Sequence, residues 1–125
     1  MTVRTKFTFE YPLNSSPSFL YSYLTTPSGL SDWFAEDVNV NGDVFTFKWE
    51  GSEEKAKLVT KRMNKYVKFQ WLDRPDEYFS FEIAQDELTG DVALVVTDFE
   101  EEEEVAAAHM IYQASIDKLR GTIGG

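Results

Sequence analysis

The chain has 125 residues, 42% of them apolar and 27% charged, with a formal net charge of −10 and no cysteine. Those figures describe one globular domain, residues 1–125, that buries roughly two-thirds of its unfolded surface. They exclude disulfides, thiolate metal sites and cysteine nucleophiles, and they argue against a nucleic-acid partner, whose phosphates are held by Lys and Arg. No apolar run approaches the roughly 18 residues of a membrane span, and the residues from Met1 to Lys6 alternate at once instead of forming a signal-peptide core. A soluble, acidic, cytoplasmic protein is expected.

In chain order, Val3, Thr5, Phe7, Phe9 and Tyr11 alternate with Arg4, Lys6, Thr8 and Glu10, the period-2 pattern of a strand with one buried face, ended by Pro12. Ser15-Ser16-Pro17 supplies an N-cap and a proline at the first helical position. Phe19, Leu20, Tyr23 and Leu24 follow at helical spacing. Thr26-Pro27 repeats the start signal, so a second short helix is expected to carry Leu30, Trp33 and Phe34 toward the same interior, with Asp32, Glu36 and Asp37 in water.

From Val38 the chain reads as an antiparallel meander. Asn41-Gly42, Gly51-Ser52, Asn64-Lys65, Asp73-Arg74-Pro75-Asp76 and Thr89-Gly90 punctuate it. Between these turns Phe45, Phe47 and Trp49 share one face, as do Val67, Phe69 and Trp71, and Phe79, Phe81 and Ile83. Thr46, Lys48, Lys68, Gln70, Ser80 and Glu82 point the other way, so one face is aromatic and the other wet. Seven of the twelve basic residues fall between Lys48 and Lys68, where they are expected to solvate the outer face and discourage edge pairing.

The period then changes. Val105, Ala108, His109, Tyr112, Ile116, Leu119 and Ile123 lie in a narrow arc at 3.6 residues per turn, with Lys118 and Arg120 in the last turn and Gly121 just past it. Glu100 to Glu104 read as the entry to this helix, with Asp98 and Glu101 as a capping box. The helical stripe and the aromatic face of the sheet are the two large apolar surfaces, and each needs the other.

A strand, two short helices, six strands and a long C-terminal helix resemble the helix-grip arrangement of the START-like superfamily (SRPBCC) over essentially the whole chain. The most specific parts are Ser16-Pro17, Leu24-Thr25-Thr26-Pro27, Leu30-Ser31-Asp32-Trp33-Phe34-Ala35 and Gly42-Asp43-Val44-Phe45-Thr46-Phe47-Lys48-Trp49. These look like the chaperone-activator-homologue (AHSA-type) branch. In place of the family's usual glycine-aromatic step before the last helix stand Asp98-Phe99 and the glutamate run. The resemblance implies an α+β fold, a curved antiparallel sheet of six to seven strands around the long helix, with a ligand cavity between the two and no universal catalytic motif. Fold alone does not fix function.

The candidate cavity residues are Trp33, Phe34, Phe47, Trp49, Arg62, Phe69, Trp71, Phe79, Phe81, His109 and Tyr112. The aromatics either interlock into a filled core or leave room for a flat or aliphatic ligand, an acid of modest size being the form expected. His109 and Tyr112, one helical turn apart, are the candidate polar groups, although a lone helix histidine is more often a marginal core residue. Strand parity with Ala56, Leu58 and Thr60 turns Arg62 inward, toward an acid such as Glu77 or a ligand carboxylate. One histidine cannot build a multi-histidine zinc site, and no serine stands in a nucleophile context, so no catalytic residue, metal or cofactor is assigned. Three uses remain: a non-catalytic carrier of a small hydrophobic molecule or lipid, which is preferred, a protein-interaction module, and a cyclase- or hydratase-like enzyme using the same cavity.

Overall fold

A computed structural model describes residues 4–124, so the expected strand position Val3 and the final residue Gly125 lie outside the described residues. Seven strands form a single antiparallel sheet in the order β1-β7-β6-β5-β4-β3-β2. They are β1 Arg4–Leu13, β2 Asp37–Asn41, β3 Val44–Trp49, β4 Ser52–Arg62, β5 Tyr66–Trp71, β6 Tyr78–Gln85 and β7 Val92–Glu101, with helices α1 Pro17–Thr25, α2 Pro27–Ser31 and α3 Val105–Ile123. The fold is the expected α+β helix grip. No described helix is long and apolar enough to cross a membrane.

The turn chemistry sets the meander. Gly42, Gly51, Asn64 and Gly90 all take positive φ, at four of the five joints read from the sequence. Pro12 does not end β1: the strand runs on to Leu13, with Pro12 opposite Ala93, because β1 is an edge strand and a missing N–H is tolerated there.

Phe47, Phe69, Phe79 and Phe81 are fully buried. Phe69 stacks on its cross-strand partner Phe79 with centroids 4.9 Å apart. In β7 the inward row is Val92, Leu94 and Val96. Asp98 is next in that row, opposite Phe7 of β1.

The short helices are fixed by paired caps. Ser16 Oγ accepts from Phe19 N at 3.3 Å and Thr26 Oγ1 accepts from Gly29 N at 3.0 Å, each followed by a proline at the first helical position. A Cβ on Gly29 would lie against the Ser22 carbonyl oxygen and 2.6 Å from Tyr23 Cα, so only glycine permits this close joint of α1 and α2. The joint delivers Trp33 and Phe34 to the sheet.

The last helix differs from expectation at both ends. A 3-10 turn at Glu102–Glu104 precedes α3, whose N-cap Glu104 makes no side-chain cap bond. Asp98 is therefore a strand residue and no capping box forms. At the far end Gly121 lies within the helix, and Gly124 closes it in the left-handed conformation at φ 85°. Tyr112, Ile116 and Leu119 are the buried stripe.

Candidate functional site

An open-sided cleft of about 1050 Å³ runs along α3, between the helix and the aromatic part of the sheet. All three tryptophans, Trp33, Trp49 and Trp71, line it together with Phe7, Phe34 and Phe99. The helix presents Ala107, Ala108, Ile111, Tyr112, Ala114 and Ser115 across the gap. Ile111 is 68% exposed, so an apolar helix face stands there without a covering side chain.

The walls are held rigidly. Trp33 Nε1 donates to the Tyr23 carbonyl at 2.8 Å, and Trp49 Nε1 donates to the Phe34 carbonyl at 2.9 Å. Phe34 is the hub: its ring meets Phe47, Phe79 and Phe81 on the core side and Trp49 and Tyr112 on the cleft side. Sequence reading offered a filled core or a space, and the rings divide between the two. Phe47, Phe69, Phe79 and Phe81 interlock beneath the cleft without lining it, whereas Trp33, Phe34, Trp49, Trp71 and Tyr112 border it.

Two candidates stand elsewhere. His109 is exposed and lies on the β1 side of α3, its ring 4.5 Å from Phe9. The faces of α3 explain this: Ala108, Ile111, Tyr112 and Ser115 follow the i, i+3, i+4, i+7 course of the cleft side, which leaves His109 on the flank. Arg62 is exposed, on the outer face opposite Tyr66. A register shift between Leu58 and Thr60 makes Leu58 oppose Phe69 and Thr60 oppose Lys68, and this bulge reverses the parity that would have turned Arg62 inward. Glu77, its expected partner, instead accepts from Arg4 at 2.7 Å and from Arg74 at 3.3 Å. That double pairing holds the Glu77 carboxyl below its ordinary value, chiefly through the Arg4 hydrogen bond.

The polar centre of the cleft is Asp98, a strand residue and not the helix cap expected from the glutamate run. Its Oδ2 accepts from the Tyr112 hydroxyl at 2.7 Å and its Oδ1 accepts from Phe99 N at 2.8 Å. Burial outweighs both bonds and pushes the carboxyl from 3.8 up to about 6. Desolvation and the neighbouring carboxylate together lift the Tyr112 hydroxyl well above its ordinary value. No ion pair reaches Asp98 among the described residues. The chain signal was available: Val92, Leu94, Val96 and Asp98 keep one period-2 row, so the carboxylate continues a buried face.

The START-like superfamily domain model matches residues 1–125. The chain belongs to the START-like superfamily. A Bacteroides fragilis protein solved by NMR is 36% identical, over 98% of this chain and 92% of that one, with a TM-score of 0.66. The Aha1 dimer from Colwellia psychrerythraea shares the fold at 19% identity, a TM-score of 0.80 and coverage of 95% of this chain and 96% of that one. A Mesorhizobium loti protein does so at 16% identity and a TM-score of 0.76, covering 94% and 95% of the two chains. No curated protein matches. For this START-like chain, the cleft between grip helix and sheet is the feature to be explained.

Proposed function

We propose that this START-like domain is a non-catalytic binding protein that shelters a small hydrophobic or amphipathic molecule between α3 and the sheet. The observation that carries this reading is the unfilled aromatic cleft of about 1050 Å³, which is at the upper end of the usual range for small-molecule sites. Its walls are pre-formed by ring contacts and indole hydrogen bonds, so little ordering cost falls on binding. The enzyme reading has less support, since His109 faces away from the cleft and Asp98 and Tyr112 satisfy one another.

Protein interaction is the second reading. It is favoured by the open side of the cleft, where Ile111 is exposed, by Met110, 74% exposed on the preceding residue of α3, and by the fold shared with the Aha1 dimer. Native mass spectrometry of freshly purified protein, joined to a tryptophan-fluorescence and melting screen of fatty acids, sterols, polycyclic phenols and alkylamines, separates the two. Retained or added small molecules that quench or shift the tryptophans and raise Tm support the carrier. A clean apo mass with no response to any class sends the assignment to the interaction module.

A further inference from the structure

We infer that the cleft selects a cationic amphiphile: an organic ammonium carried on an apolar body, with Asp98 as its counter-ion. This rests on the small-molecule reading above and fixes the sign of the headgroup, reversing the acid expected from the sequence. Three observations converge. The apolar body has its place against Phe34, Trp49 and Trp71 and the exposed Ile111. The acidic groups around that surface are Glu36, Glu54, Asp98, Glu100, Glu104 and Asp117, against which Lys118 is the one lining cation among the described residues. Lys118 is exposed and about 9 Å further along the helix axis than Tyr112.

Glu54, Glu100 and Asp117 already pair with Arg74, Arg4 and Arg120. Asp98, Glu36 and Glu104 have no ion pair among the described residues. Arg74, already engaged with Glu54 and Glu77, acts on the Asp98 carboxyl only through its field and ranks last among the influences on it, so burial in the cleft floor still dominates. An ammonium entering the cleft supplies a direct countercharge, and the electron-rich faces of Phe34 and Trp49 add a second attraction, the Trp71 ring already carrying the Arg74 guanidinium 5.3 Å from its centroid. A ligand carboxylate would meet repulsion from the same groups. A bound metal ion is a poorer match, since no three acidic or histidine side chains among the described residues converge closely enough to hold one.

The test is a matched series of decyltrimethylammonium, decanol and decanoate, each titrated below its micelle concentration against the full chain and followed by tryptophan fluorescence. The ammonium should bind about tenfold more tightly than the alcohol, with decanoate weakest. Asp98→Asn should bring the ammonium down to the level of the alcohol and leave the alcohol unchanged. Glu87→Gln, which removes one charge from the exposed β6–β7 turn, should change nothing and thereby separates local pairing from the overall negative field. If Asp98→Asn does not fold, the double variant Glu36→Gln with Glu104→Gln, both exposed, should still lower the ammonium preference. Equal binding of the three, or tightest binding of decanoate, overturns the cationic assignment while leaving the carrier reading in place. Binding of none overturns the cationic assignment, and the carrier reading then falls or stands with the wider screen above.

Discussion

Tyr112 donates its hydroxyl to Asp98 Oδ2 at 2.7 Å, joining the middle of α3 to the end of β7 at the floor of the cleft. The pair makes stability depend on pH in an unusual direction for a carboxylate. Burial raises the folded-state value from 3.8 to about 6, so between those values the folded protein holds a proton that the unfolded chain has released. Stability contributed by the protonated form is therefore present below 3.8 and lost as pH rises toward about 6. The full loss is roughly 3 kcal/mol. Asp98→Asn stays neutral throughout and should be more stable than the parent above about pH 7. Urea melts of both proteins across the acidic range check this, and parallel curves for the two would refute it.

Tyr112→Phe keeps the ring contacts to Phe7 and Phe34 but removes a donor from a buried acceptor. The expected cost is about 1 to 3 kcal/mol where Asp98 is ionised, and less where it is protonated. The Asp98 carboxyl should move further up, because the hydroxyl bond is the largest influence holding it down. Carboxyl chemical shifts followed by NMR through a pH titration read this directly.

The two tryptophans nearest Phe34 should respond differently to replacement. Trp33 is 2% exposed and packs on Phe81 with centroids 5.3 Å apart, so Trp33→Ala is expected to cost about 3 to 5 kcal/mol. Trp49 is half-buried at the cleft wall. Trp49→Phe loses its indole bond to the Phe34 carbonyl and should cost about 1 kcal/mol, with the larger effect on ligand response. Chemical denaturation of both variants, beside a ligand titration of the second, measures the difference.

What was legible in the chain followed from periodicity. The period-2 rows placed Phe47, Phe69, Phe79 and Phe81 inward, the 3.6 period placed Tyr112, Ile116 and Leu119, and the proline-led caps located α1 and α2. Two of the misreadings share a cause, since Arg62 and His109 needed register and packing instead of pattern. Arg62 was lost to a one-residue bulge in β4, which no local composition announces. His109 shares a helical arc with Tyr112, but an arc does not say which flank meets β1 and which meets the cleft. Asp98 belongs with the apolar row that precedes it and not with the acids that follow it, which makes it a buried strand carboxylate and not a cap.

The last prediction sets one substitution at two positions against itself. Alanine is ordinarily favoured over glycine inside a helix by about 1 kcal/mol, and Gly121 in α3 has open space where a Cβ would stand. Gly121→Ala should therefore stabilise the protein by up to about 1 kcal/mol. At Gly29 the same methyl would press on backbone atoms of Ser22 and Tyr23, which cannot rotate away as a side chain can. Overpacking of this kind costs about 1 to 3 kcal/mol, outweighing the helical gain. Because the α1–α2 joint positions Trp33 and Phe34, Gly29→Ala should also shift tryptophan emission, whereas Gly121→Ala should not. Melting curves and emission spectra of the two variants decide it: stabilisation at both positions would mean that the close packing of α1 on α2 does not constrain the cleft.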